Sequence, residues 1–136
     1  MNEALNVLDC RKGVLTVLIA DDDQAFRVNL RSFLLCRKSV KIVGEVAEGA
    51  HVINLARLLK PDLILMNISI LKAVGPEIIR IIRTVSPQSE IAFTTVHDES
   101  IYRDLTELMH IDEFVSKQSL NAELPRILEK LQRMKG

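Results

Sequence analysis

Residues 14–26 read VLTVLIADDDQAF, and this stretch decides the fold. Seven uncharged residues, mostly leucine or β-branched, run from Val14 to Ala20. Such a run predicts a strand buried on both faces, because a half-exposed strand would alternate with polar residues. Three aspartates follow, of which Asp22 or Asp23 is placed to cap a helix. The apolar residues of that helix, Phe26, Leu30, Phe33 and Leu34, recur at helical spacing. A doubly buried strand leading straight into a helix is the opening unit of a parallel sheet covered by helices.

The alternation continues outward. Residues 40–46 (VKIVGEV) predict a second strand nearer an edge, since Lys41 and Glu45 interrupt it. A helix beginning around Glu48–Gly49 turns Val52, Leu55, Ala56 and Leu59 inward and stops at Pro61. Residues 63–66 (LILM) are the most apolar run and predict a central strand. Residues 68–74 read as a loop, after which Gly75–Pro76 opens a helix carrying Ile78, Ile79, Ile82 and Val85. Residues 91–95 (IAFTT) and 113–116 (EFVS) predict the last two strands, separated by a helix over 98–109. Asn121 is placed to cap a final helix with Leu124, Ile127, Leu128 and Leu131 inward and Pro125 in its first turn. Strands and helices in strict alternation predict an α/β fold, a doubly wound five-stranded parallel sheet with five helices. Its flavodoxin-like order is 2-1-3-4-5. The domain is placed over residues 14–134, behind an N-terminal extension of residues 1–13.

Composition removes several function classes. The 136 residues suffice for one domain, and 18 basic residues balance 18 acidic ones. A zero net charge speaks against binding nucleic acid by bulk electrostatics. Aromatics are 4% with no tryptophan, which disfavours readers that stack unpaired bases. Cys10 and Cys36 lack metal-ligand spacing, and Cys36 reads as a small hydrophobe on a helix. His51, His97 and His110 are scattered over different elements and form no ligand cluster. No membrane span or signal peptide is evident, so a cytoplasmic protein is expected.

In an open parallel sheet, ligands bind beyond the carboxyl ends of the strands. The first strand ends in Asp21, Asp22 and Asp23, the third in Asn67, the fourth in Thr94–Thr95 and the fifth in Lys117. Singly these are ordinary: an Asp run caps a helix, and a lone Lys is solvated. Together on successive strand ends they mark a candidate site.

At these residues the chain resembles the receiver domain of two-component response regulators. The resemblance is carried by LIADDD (18–23), PDLILMNIS (61–69), FTTVHD (93–98) and FVSK (114–117), in the family's order and spacing. LIADDD and VGEVAEG (43–49) look closest to receivers that precede helix-turn-helix output domains. The resemblance implies that Asp21 and Asp22 hold Mg²⁺, with Asn67 and Ser69 beside them. It likewise assigns switching roles to Thr95, Phe114 and Lys117, while Asp23 caps the helix. The family pattern has a phosphoacceptor Asp where this chain has Asn67. An amide is uncharged and poorly nucleophilic, so no acyl phosphate is expected there, and Mg²⁺ affinity should fall with the lost charge.

Three explanations of Asn67 stand open. The domain works without phosphorylation; or the Asn is an engineered replacement for Asp; or phosphorylation uses Ser69 or Thr95, or follows deamidation. The resemblance implies no enzyme activity. It implies instead a protein partner, either a histidine kinase or a downstream effector, or a second copy docked on the fourth helix, fifth strand and fifth helix. Tyr102 and Leu105 are candidate contacts on that face, and Ile70, Leu71 and Val74 in the apolar loop are expected to add partner surface. Neither nucleic acid nor membrane is an expected ligand of this domain. The competing reading is a phosphoryl-transfer enzyme using Asp21 or Asp22 as nucleophile, although no Gly-rich phosphate loop follows the first strand. A flavodoxin-like cofactor binder would need that loop and flanking aromatics as well.

Overall fold

The computed structural model describes residues 13–96 and 113–135. Five parallel strands form one sheet: β1 (Leu15–Ala20), β2 (Val40–Val46), β3 (Leu63–Asn67), β4 (Glu90–Thr95) and β5 (Glu113–Ser116). Their order is β2-β1-β3-β4-β5. The described helices are α1 (Gln24–Leu35), α2 (Gly49–Leu59), α3 (Ile68–Val74), α4 (Glu77–Val85) and α5 (Leu120–Lys135). The helix expected over 98–109, with Tyr102 and Leu105, lies outside the described residues, as do Cys10, His97 and His110.

Period-two alternation along the strands divides the core between the two faces of the sheet. Val17, Ile19, Leu63 and Leu65 pack with Leu30 and Leu34 of α1 and with Leu124, Ile127, Leu128 and Leu131 of α5. Leu18, Ala20, Ile64, Met66 and Phe93 pack with Val52 and Ala56 of α2 and with Ile78, Ile79 and Ile82 of α4. β3 is buried at all five positions, as its apolar run requires of a central strand. β2 lies at the edge, with Lys41 exposed and Glu45 half-buried.

Residues 68–74, expected as a loop, form the helix α3. Ile68, Ile70 and Leu71 are buried in the core on the α2–α4 face. Leu71 is only 5% exposed, so Ile70 and Leu71 are not partner surface; of that group only Val74, 46% exposed, reaches solvent. Burial of three apolar side chains supplies what seven residues of helix propensity alone could not. Gly49 permits the approach, since a Cβ there would lie 2.7 Å from Cγ1 of Val74. Gly75, at φ +88°, ends the helix in the left-handed region that favours glycine.

Three smaller expectations also change. α5 follows directly from a 3₁₀ turn, Lys117–Ser119, in which Gln118 N donates to the Ser116 hydroxyl oxygen. Ser116 caps that turn, whereas Asn121, expected to cap the last helix, lies inside it, and Pro125 falls beyond the first turn. Leu59 is 40% exposed because α2 ends at the next residue, Lys60, in a left-handed conformation. Cys36 is exposed just past the end of α1, although Leu34 in the last turn is still buried.

A charge cluster ties α5 to the sheet. Glu113 accepts hydrogen bonds from Lys130 at 2.8 Å and Arg126 at 3.3 Å. Burial pushes the Glu113 carboxyl up, but these cations outweigh it and hold it below the usual glutamate range. A depressed folded pKa stabilises the protein above the unfolded pKa and is lost as pH falls through that value toward the folded one. Acid unfolding below about pH 5 should therefore be less steep in Glu113→Gln than in the native chain, as followed by circular dichroism. Identical acid limbs would remove the cluster from the pH dependence.

Candidate functional site

The carboxyl ends of β1, β3, β4 and β5 bring the expected residues to one rim. Asp21 follows β1 directly, and its backbone N–H donates to Val46 O at 2.9 Å. Its own Oδ1 accepts from Asp23 N at 2.9 Å, which tightens the turn into α1. Asp23 caps α1 by accepting from Phe26 N at 3.3 Å. Asp22 is left exposed on the rim.

Asn67, the last residue of β3, is 8% exposed and faces both acids. Its Nδ2 donates to Asp21 Oδ1 at 3.2 Å and to Asp22 Oδ1 at 3.3 Å. Carboxylates only accept, so the amide must present its nitrogen here. Ser69 Oγ, in the first turn of α3, donates to the same Asp22 oxygen at 3.2 Å.

Lys117 reaches in from the 3₁₀ turn after β5 and stands 2.8 Å from Asp21 Oδ2. The contact is a close ion pair and not an aligned hydrogen bond, and among the described residues that buried oxygen has no other partner. The ammonium also lies 3.9 Å from the centroid of the Phe26 ring. Both side chains of the pair are buried, at 8% and 2% exposure, so the attraction is little screened by water. Thr95 is fully buried at the end of β4, level with Ser116, and Thr94 is level with Asn67. Phe114 is half-buried against the core on the α2–α4 face.

Other participants were not singled out in the sequence. Phe26, read only as an inward residue of α1, forms the floor under Lys117. Arg27 Nη1 donates to the Asp21 carbonyl at 2.5 Å and its Nε lies 3.8 Å from Glu45. Arg31 grips Glu45 through two hydrogen bonds of 2.6 and 2.9 Å. These arginines hold the Glu45 carboxyl below its ordinary range, the Arg31 hydrogen bond contributing most. Their signal was the interrupted edge strand itself: a glutamate facing a helix that carries arginines four residues apart.

The matched relatives fit this geometry. The family model described as the response regulator receiver domain matches residues 17–129. The chain belongs to the response regulator receiver family. This receiver is 30% identical over 118 residues to the response regulator protein VraR of Staphylococcus epidermidis, covering 85% of this chain and 56% of the relative. The Staphylococcus aureus VraR is 30% identical over 121 residues, covering 88% and 57%. The receiver thus spans little more than half the length of these curated relatives.

Among solved structures, a LuxR-family two-component response regulator from an Aurantimonas species superposes with TM-score 0.78 at 24% identity, covering 88% of this receiver and 86% of that chain. The isolated receiver domain of RcsB from Salmonella enterica serovar Typhimurium, in its apo form, superposes with TM-score 0.76 at 25% identity, covering 88% of each chain. The domain is therefore a receiver of two-component signalling with the flavodoxin-like fold. Among the described residues, no helix is long and apolar enough to cross a membrane.

The resemblance also implies Mg²⁺, and the rim can be tested for it. Mg²⁺ demands near-octahedral oxygen ligands at about 2.1 Å and is usually held by carboxylates and water. Here the facing oxygens of Asp21 and Asp22 already accept the Asn67 amide, and Asp21 Oδ2 already faces an ammonium. As placed, the donor set does not fit the ion.

Proposed function

We propose that this receiver transmits its signal through protein–protein contact without being phosphorylated, forming no acyl phosphate at Asn67. One observation supports the reading above others. At the end of β3, where the family pattern has its acceptor carboxylate, a carboxamide donates to both neighbouring acids. Amide resonance withdraws the nitrogen lone pair, and the amide oxygen carries no full charge, so neither atom is a competent nucleophile toward phosphorus. The partner would be a histidine kinase, a downstream effector or a second copy, meeting a surface that includes β5 and α5, in the cytoplasm. The output of any longer regulator containing this domain belongs to the same proposal.

An enzyme using Asp21 as nucleophile is the weaker reading. Both oxygens of Asp21 are engaged, and the residue is 1% exposed. The receiver in this reading is not an enzyme.

The test is incubation with acetyl phosphate and Mg²⁺ followed by intact mass. The native chain is expected to gain no phosphoryl group, whereas Asn67→Asp gains one. A phosphoryl adduct on the native chain, located at Ser69 or Thr95 for instance, would overturn the proposal. Catalytic turnover of a phosphate ester would favour the enzyme.

A further inference from the structure

We propose that the Asn67 carboxamide and the Lys117 ammonium together replace a divalent cation, so that the protein's own donors hold the rim of this receiver closed. The inference rests on the reading above, that no acyl phosphate forms at Asn67. It goes further than a weakened metal site: the ion's structural role has passed to side chains.

Two carboxylates brought together need positive charge between them. A divalent cation would supply it, but Nδ2 of Asn67 already occupies that place, within 3.3 Å of one oxygen from each acid. The remaining oxygen of Asp21 faces Lys117, and the ammonium is backed by the Phe26 ring. Ser69 adds a hydroxyl donor to Asp22. Asp21 thus has a donor or a cation at each oxygen, and Asp22 has donors at the one that faces inward.

Seating a cation would require the amide to turn over and present Oδ1. That orientation sets three oxygens against one another until the ion arrives, and it gives up both N–H donors. The contacts of Asn67, Lys117 and Ser69 meanwhile join the turn after β1, the start of α3 and the junction between β5 and α5. These segments therefore keep one arrangement whatever the Mg²⁺ concentration.

Thermal melts of the full chain in EDTA and in millimolar Mg²⁺ test the inference. The native protein is expected to melt within about a degree in the two buffers, as an ion that binds neither state has no effect. Asn67→Asp replaces the bridging donor by a third carboxylate. It should melt lower in EDTA and rise by several degrees in Mg²⁺. An equal rise in the native protein, or no rise in the variant, would overturn the proposal. Should Asn67→Asp not fold, Mn²⁺ added to the native protein supplies the second measurement. Amide NMR signals of Asp21, Asp22 and Asn67 are expected to stay sharp, and selective broadening there would equally overturn it. A phosphoryl adduct on the native chain bears instead on the proposed function, so the two failures are separable.

Discussion

Lys117→Met is expected to destabilise the folded receiver by about 3 kcal/mol, the low end of what removing one partner from a buried ion pair costs. Methionine keeps nearly the length and the packing against Phe26, so the change removes charge and little else. Asp21, 2% exposed at its side chain, would then lack the cation that stands 2.8 Å from it. The effect stays at the low end because Asp23 N and Asn67 Nδ2 still donate to the other oxygen. Combining Lys117→Met with Asp21→Asn should recover most of the loss, since no buried charge is left without its counterpart. Urea midpoints for the native protein, both single variants and the double variant measure this coupling. A loss under about 1 kcal/mol for Lys117→Met would mean that water reaches the ammonium and that the pair behaves as a surface one.

The experiment also separates what the sequence shows from what only the fold supplies. The bounds of β2 and β5 coincide with residues 40–46 and 113–116 read directly from the chain. Apolar runs ended by charged or turn residues record burial, and in a parallel sheet burial is nearly the whole signal. The rim was legible for the same reason: once the strands are ordered, their last residues must meet. Its contacts were not legible. Asn67 and Asp21 are separated by 46 positions, and no local rule orients an amide toward a particular acid. The sequence marks a missing negative charge at Asn67, whereas the structure shows a donor put to use there. Phe26 illustrates the same limit, because helical spacing places its ring inward without revealing the ammonium above it.

The segment after β3 is hard to read from sequence for a different reason. Ile68, Ile70, Leu71 and Val74 fit one face of a helix, but seven residues give too short a window for periodicity to distinguish a helix from an apolar loop. Tertiary packing decides it, through a core on one side and the glycine gap at Gly49 on the other. This changes the functional expectation as well as the fold. A rim whose next seven residues are packed as a helix is anchored to the core, and Asn67 sits at the start of that helix as its N-terminal flanking residue. The amide bridge to Asp21 and Asp22 is thereby fixed from below by burial as well as from above by charge.

Substitution within α3 should resolve the two sides of that helix with a large contrast. Leu71→Lys is expected to cost about 3 kcal/mol or more, because it removes a packed side chain and buries an ammonium in the apolar core. Val74→Lys should change stability by less than about 1 kcal/mol, since its side chain is already 46% exposed and a lysine stem can lie along the surface. The comparison is made by urea unfolding of the two variants under one set of conditions. Equal, small effects would return residues 68–74 to an exposed apolar loop and restore Leu71 as a candidate partner contact. A large loss confined to Leu71→Lys ties the acceptor-end helix to the core. Any partner reading this face would then meet Val74 and the polar rim, and not the leucine beneath them.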